Sequence, residues 1–183
     1  MTHVRGTWIV ASVASLRREG LFETYASLLP LACHEAIVHA VPAEWVEIRL
    51  AMEHYRACDR LALSRATVAK RGVAISDSIQ ASLLDIVVRL AKGAGITPWT
   101  VFDQYPRIWA RVYMGGAIAV NKVGPKEAII EIVGVPLLEF DYFRQGLKGV
   151  LSNINGKFCR KGYMSDVANH ATTSSAVLRY AWA

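Results

Sequence analysis

The chain has 183 residues, long enough to bury a hydrophobic core within one domain spanning residues 1–183. Hydrophobic residues make up 53% and charged residues only 20%, yet no run approaches 18 apolar residues without a charge, so we expect a cytoplasmic protein without a membrane span. The net charge of +6 is scattered in pairs such as Arg17-Arg18 rather than gathered in a stripe, so nucleic-acid binding is not expected.

The first half of the chain has helical periodicity. Apolar residues recur at helical spacings, and Gly20, Pro30 and Pro42 interrupt them, which predicts helices over residues 6–19, 21–29, 31–40 and 43–63. Two further helices are predicted over residues 64–73 and from about 76 to Gly93. Gly72, near the end of the first of these, is a kink, a break or a site where another helix approaches closely.

The periodicity changes after the stretch from Thr97 to Val120. Thr97-Pro98 is a helix-start signal, and a helix is predicted over residues 98–114, ending before Gly115-Gly116. Strands are predicted over residues 117–122, 127–133, 158–168 and 176–182, with a helix over 136–153 and a turn at Asn155-Gly156. The expected class is α+β, an N-terminal helical half followed by a β-β-α-β-β unit with a four-stranded antiparallel sheet.

Several short matches, spread over nearly the whole chain, resemble the myxobacterial DUF2378 family. They are Gly6-Thr7-Trp8, Thr97-Pro98, Tyr105-Pro106-Arg107-Ile108-Trp109, Gly115-Gly116 before a hairpin, Phe143-Arg144-Gln145-Gly146 and a last strand ending in Trp182. That family is related to V4R domains, haem–nitric-oxide sensor domains and Bet3-type trafficking subunits. The resemblance implies their fold and a binding or sensory role, and it supplies no active site.

The haem-binding relatives also imply where a haem ligand would lie. They carry the axial histidine on a helix just before the sheet, whereas residues 97–114 contain no histidine, and their Tyr-x-Ser-x-Arg pattern is absent. Haem iron requires an axial His, Cys, Met or Tyr. We therefore expect no haem and no other cofactor.

Ligand-type and nucleophilic residues show no converging pattern elsewhere. His54 and Cys58 are one helical turn apart, and Cys33-His34 adds two further metal-ligand types, but no regular metal-site spacing links them. Neither a Gly-x-Ser-x-Gly motif nor a phosphate-binding loop occurs. The sequence therefore predicts neither a metal site nor an enzyme.

An aromatic group is the remaining functional signal. It is either a filled core or the wall of a pocket for an apolar ligand, and its members are Trp99, Phe102, Trp109, Tyr113, Tyr142 and Phe143. The favoured function is a non-enzymatic sensory domain that binds a small apolar molecule or lipid between helices and sheet.

The alternative is an interaction or assembly module without a ligand. In that case the short N-terminal helices form a homodimer, because they carry more apolar surface than one small core face needs. The residues expected at this interface are Trp8, Ile9, Leu21, Phe22 and Tyr25.

Overall fold

The computed structural model describes residues 1–90, 97–167 and 172–183, with side chains described throughout these ranges except at 78–90. Its helices are α1 (Gly6–Arg18), α2 (Phe22–Leu28), α3 (Leu31–Val38), α4 (Ile48–Arg60), α5 (Arg65–Leu90), α6 (Pro98–Phe102), α7 (Tyr105–Val112) and α8 (Asp141–Gly156). Its strands are β1 (His3–Arg5), β2 (Trp45–Glu47), β3 (Tyr113–Met114), β4 (Ala117–Gly124), β5 (Glu127–Val133), β6 (Gly162–Asp166) and β7 (Ala176–Trp182). The expected α+β class is confirmed.

The large sheet has the strand order β4-β5-β7-β6, with every neighbouring pair antiparallel. Alternate residues of β5 and β7 are buried, so one face of each strand enters the core. Ile118 is paired with Ile132, and Ile130 with Leu178, which fixes the register by burying apolar side chains across three strands. The four-stranded antiparallel sheet after the helical half is as predicted.

A second, three-stranded sheet was not foreseen. Its order is β2-β1-β3, and Val4 of the central strand is paired with Val46 on one side and Tyr113 on the other. Val4 is fully buried, and the Arg5 guanidinium lies 4.0 Å from the centre of the Trp45 ring. This sheet joins the start of the chain to the residues that lead into the large sheet.

Helices α5 and α8 cross with their backbones in contact. A Cβ added to Gly72 would lie 2.1 Å from the Gly146 carbonyl oxygen, and one added to Gly149 would lie 2.1 Å from the Ala69 carbonyl oxygen. Gly72 is therefore the site of close helix approach, one of the three alternatives left open by the sequence, and α5 runs without a break through it.

Other predicted boundaries are wrong for identifiable reasons. The helix expected from residue 43 begins at Ile48, because Trp45–Glu47 pairs with β1. The helix expected over 98–114 is divided into α6 and α7, and the expected turn at Asn155-Gly156 lies in the last turn of α8. The predicted ends at Gly93 and Ala168 fall outside the described residues.

No helix in the described ranges has the length and apolar character needed to cross a membrane.

Candidate functional site

Two small apolar cavities share a wall formed by α1, β3 and α8; the first is also lined by α4 and α5, and the second by α7 and β4. The Ser12 cavity, with a volume of about 30 Å³, is lined by Ser12, Tyr55, Tyr142 and Phe143 among others. The Trp109 cavity, of about 40 Å³, is lined by Tyr105, Ile108, Trp109 and Ile118 among others. Both are also lined by Trp8, Tyr113, Leu147 and Val150. The two cavities therefore adjoin and form one candidate binding cleft.

Three aromatic rings in mutual contact line the cleft. The Tyr113 ring lies nearly parallel to the Trp8 ring, with an interplanar angle of 9° and centroids 6.5 Å apart, and its centroid is 4.3 Å from that of Trp109. Burial raises the pKa of the Tyr113 phenol, so Tyr113 stays neutral at physiological pH. This stack gives the cleft an uncharged aromatic wall.

Two hydrogen-bond donors at the cleft lack acceptors. The indole Nε1 atoms of Trp8 and Trp109 are buried and have no hydrogen-bond partner among the described residues. The amide Nδ2 of buried Asn155 is likewise unpaired, while its Oδ1 accepts a hydrogen bond from Tyr105 Oη at 2.9 Å. Gln104 Oε1, also unpaired, does not line either cavity. An unpaired buried donor costs about 1–3 kcal/mol.

A buried polar chain ends at the Ser12 cavity. Tyr25 Oη lies 2.6 Å from His54 Nδ1, and His54 Nε2 lies 3.0 Å from Ser12 Oγ. His54 is fully buried, and this burial lowers the pKa of His54 to about 3, so the imidazole is neutral. Burial also raises the pKa of the Cys58 thiol, whose Sγ lies 3.7 Å from His54 Nε2.

A second polar group connects α5 to the same cavity. Arg71, only 3% exposed, donates hydrogen bonds from Nη2 and Nε to Glu19 Oε2 at 2.6 and 3.1 Å. Its Nη1 donates to Tyr142 Oη at 3.4 Å, and Tyr142 lines the Ser12 cavity. The buried guanidinium thus has both a countercharge and a neutral acceptor, as buried charges require.

The six aromatic residues predicted to bind a ligand do not form one pocket. Tyr113 lines both cavities, Tyr142 and Phe143 line the Ser12 cavity, and Trp109 lines the other. Trp99 and Phe102 instead face a separate open groove of about 520 Å³.

Several lining residues escaped the sequence analysis or received another role. Trp8, predicted at a dimer interface, lines both cavities, and Ser12 lies four residues later on the same helix. Leu147, Val150, Leu151 and Ile154 follow helical spacing and line the cleft, a signal that could have been read from the sequence.

The residues predicted at a dimer interface divide by burial. Ile9 and Tyr25 are fully buried in the protomer, so they offer no surface to a partner. Leu21 and Phe22 are partly buried, and the Arg17 guanidinium lies 4.4 Å from the centre of the Phe22 ring. Trp8, Leu21 and Phe22 are the members of the predicted set with accessible atoms, and the dimer stays a prediction.

The residues present do not fit a haem. Binding pockets for cofactor-sized molecules measure roughly 300–1,000 Å³, whereas the two cavities measure about 30 and 40 Å³. No His, Cys, Met, Lys or Arg lines either cavity in the described part of the chain. Burial raises the pKa of Tyr55, Tyr105 and Tyr113, which disfavours a tyrosinate ligand.

The same holds for a metal ion. Among the described residues, no group of three or more His, Cys, Asp or Glu side chains is placed to hold one. His54 and Cys58 do come together, as their helical spacing suggested, but with Ser12 and Tyr25 rather than with further metal-ligand types.

Comparison with known proteins identified similar folds only among solved structures. No family model matches the chain, and no curated protein matches it. An unliganded Fe(II) H-NOX protein from K. algicida has a TM-score of 0.71 at 7% identity, over 98% of this chain and 96% of that one.

Two further structures agree with this assignment of the fold. A mutant H-NOX from T. tengcongensis has a TM-score of 0.65 at 12% identity, covering 97% of each chain. A structure that probes haem distortion in the H-NOX family has a TM-score of 0.64 at 10% identity, over 97% of this chain and 94% of that one. The likeness extends over almost the whole chain and establishes that the fold is that of the H-NOX structures.

Proposed function

We propose that this domain is a sensory module that binds a small apolar molecule in the cleft formed by the Ser12 and Trp109 cavities, without haem. The observation that carries the proposal is the pair of adjoining apolar cavities that share Trp8, Tyr113, Leu147 and Val150. Concave, largely apolar sites with a few polar groups are typical of small-molecule binding. Both helices and strands contribute to the cleft, since α1, α7, α8, β3 and β4 all line the Trp109 cavity.

The H-NOX likeness supports the sensory part of the proposal. One of those structures addresses haem distortion, whereas this chain presents two cavities far smaller than a haem. Each cavity exceeds the roughly 10–15 Å³ that one water needs. The space therefore suits a ligand of a few non-hydrogen atoms. Its binding would be sensed through a change in how α8 packs against α1 and α7.

A binding role is favoured over a catalytic one at Ser12. A serine nucleophile needs a histidine nitrogen that accepts its proton. Burial lowers the pKa of His54 to about 3, far below physiological pH, although its Nε2 lies 3.0 Å from Ser12 Oγ. A histidine with so low a pKa is a poor proton acceptor, because general-base catalysis is most efficient when the pKa of the base lies near the working pH.

The test is a titration with n-hexane followed by methyl NMR. We expect saturable shifts at the Leu147 and Val150 methyl groups, and we expect Val150→Phe to abolish them, because a larger side chain there fills both cavities. Val123→Phe is the matched control, since Val123 is 54% exposed and lines neither cavity. Equal binding by Val150→Phe and the wild type would place the site elsewhere. A Soret band in the purified protein would contradict the haem-free proposal.

A specific observation also supports the second candidate, a homodimer through the helical half. Leu31 at the start of α3 is 92% exposed, and Val41 is 45% exposed. Both belong to the N-terminal helical region, where Leu21 and Phe22 are only partly buried. Large exposed apolar side chains in one region are a feature of interfaces. In this candidate α1 to α3 would meet the same helices of a second copy.

A further inference from the structure

We propose that the open groove between the α6–α7 corner and β4 binds a free α-amino acid with an apolar side chain. The groove measures about 520 Å³ and is lined by Trp99, Phe102, Asp103, Pro106, Val120 and Lys122. It shares no lining residue with the Ser12 and Trp109 cavities, so it is a second site that goes beyond the proposed function. Its volume lies within the roughly 300–1,000 Å³ of small-molecule sites.

The aromatic wall of the groove is held in place by contacts within the chain. Trp99 Nε1 donates a hydrogen bond to the Pro125 carbonyl oxygen at 3.2 Å. The Trp99 ring meets the rings of Phe102 and Trp182 edge-on, with centroids 5.5 and 4.9 Å apart. Because these contacts already fix the indole, a ligand that packs against it needs little further ordering of this wall, which favours binding.

Two opposite charges line the same groove. Asp103 directly follows the last residue of α6, and Lys122 lies on β4, two residues after Val120 and on the same strand face. Both side chains are exposed, and neither forms an ion pair or a side-chain hydrogen bond with any residue of the described ranges. The Lys122 ammonium lies 5.1 Å from the centre of the Trp99 ring, which places it at the aromatic wall. The groove therefore presents an unpaired carboxylate and an unpaired ammonium.

The charges and the wall together specify the ligand class. An ammonium group complements Asp103, and a carboxylate complements Lys122, through charge-assisted hydrogen bonds that are about twice as strong as neutral ones. The flexible four-carbon stem of Lys122 lets its ammonium adjust to the position of that carboxylate. The rest of the wall is aromatic and aliphatic, so it suits an apolar side chain. A free α-amino acid carries all three groups on one carbon atom.

Ligands with a single charge satisfy only one side of the groove. A carboxylic acid without an amine leaves Asp103 uncompensated and brings a like charge close to it, and a simple amine does the same at Lys122. The terminal residue of a peptide has the same defect, since it keeps only the ammonium or only the carboxylate. The zwitterion is therefore favoured over a singly charged ion and over the end of a peptide.

The experiment compares L-phenylalanine with two derivatives that each lack one charge. N-acetyl-L-phenylalanine keeps the carboxylate, and L-phenylalaninamide keeps the ammonium at about pH 6. Each is titrated into the full chain labelled with ¹⁵N at the tryptophan indoles, and calorimetry gives the dissociation constants. The variants are Asp103→Asn and Lys122→Gln. Their matched controls are Glu131→Gln and Lys126→Gln, because both residues are exposed and neither lines the groove.

We expect L-phenylalanine to bind more tightly than either derivative and to shift the Trp99 indole resonance. The resonances of Trp8 and Trp109, which line the cavities instead, should stay nearly unchanged. Asp103→Asn should weaken binding of L-phenylalanine and of the amide by about 3- to 10-fold, because each loses a charge-assisted hydrogen bond, and should not weaken the N-acetyl derivative. Lys122→Gln should weaken L-phenylalanine and the N-acetyl derivative to the same extent and should not weaken the amide.

Three results would overturn the inference. If L-phenylalanine binds with a dissociation constant above about 1 mM, the groove is not a site for this ligand class. If either derivative binds the wild type as tightly as L-phenylalanine does, one charge suffices and the ligand is not a zwitterion. If the resonances of Trp8 or Trp109 shift in place of that of Trp99, the amino acid occupies the cleft of the proposed function and the groove is wrongly assigned.

Discussion

Replacing Gly72 by alanine tests whether α5 and α8 are in backbone contact. The added methyl carbon would lie 2.1 Å from the Gly146 carbonyl oxygen, about 1.3 Å short of the 3.4 Å at which ordinary contact begins. The obstacle is backbone rather than a movable side-chain end, so the helices must separate or rotate. A shift of that size would disturb the neighbouring approach of Gly149 to Ala69 as well.

The expected loss of stability follows from two opposing effects. Alanine favours the helix by about 1 kcal/mol relative to glycine, while overpacking a tight contact costs about 1–3 kcal/mol and occasionally more. Because the contact is made by backbone on both helices, we take the upper end of the overpacking cost. Less the gain in helix propensity, this leaves an expected loss of about 2 kcal/mol in the free energy of unfolding for Gly72→Ala. Gly146→Ala is the matched control, since an added Cβ there meets nothing within 4 Å.

The assay is urea denaturation followed by circular dichroism, with calorimetry as a check. Gly72→Ala should lower the melting temperature by about 4–8 °C at this chain length, whereas Gly146→Ala should be neutral or stabilise by up to about 1 kcal/mol. A Gly72→Ala variant as stable as Gly146→Ala would refute the close crossing. It would also remove the reason given for the continuous course of α5.

The remaining predictions concern the buried polar groups and the dimer. The pKa of His54 is about 3 in the folded protein and about 6.5 when unfolded. The unfolded chain therefore gains a proton first as the pH falls, and stability is lost by up to about 1.4 kcal/mol per unit below pH 6.5. His54→Gln should remove that contribution to the slope in denaturation curves at pH 7 to 5, and an unchanged slope would contradict a neutral buried imidazole. Glu19→Gln should destabilise the fold by about 1–3 kcal/mol. This loss is smaller than that from breaking a fully buried ion pair, because the Glu19 side chain is 41% exposed. An unchanged urea midpoint would mean that solvent already compensates the charge of Arg71. Leu31→Glu should split the dimer, seen by light scattering as a fall to the monomer mass, without altering the melting curve of the monomer. Phe22→Glu should change both the oligomeric state and the melting curve. A wild type that is monomeric at micromolar concentration would refute the dimer itself.

The large sheet was predictable because its signal is long and regular. In β5, Ala128, Ile130 and Ile132 alternate with more exposed residues, and the Gly124-Pro125 turn precedes them. The small sheet was not, since β1 and β2 have three residues each and their pairing joins segments some forty positions apart. A three-residue strand contains little more than one two-residue repeat, too little for alternation to be recognised.

The aromatic residues predicted to form one site line separate spaces in the structure. A continuous helix over 98–114 would have placed Trp99, Phe102, Trp109 and Tyr113 on one face. Helix α6 ends at Phe102 and α7 begins at Tyr105. Trp99 and Phe102 therefore line the open groove, whereas Trp109 and Tyr113 line the Trp109 cavity. Trp8 could not be assigned to the cleft, because its neighbours on α7 and α8 are brought to it by tertiary packing alone.

The position of β7 within the large sheet determines when that sheet can close during protein synthesis. The ribosome makes β7 last of the four strands, yet β7 lies between β5 and β6. β5 ends at Val133 and β7 begins at Ala176, an interval of roughly 2–9 s at ordinary elongation rates. During this time the inner edge of β5 has no partner within the sheet, and neither has that of β6 once Asp166 has been made. Unpaired edges promote aggregation, so the nascent chain is exposed to misassembly until the final strand inserts.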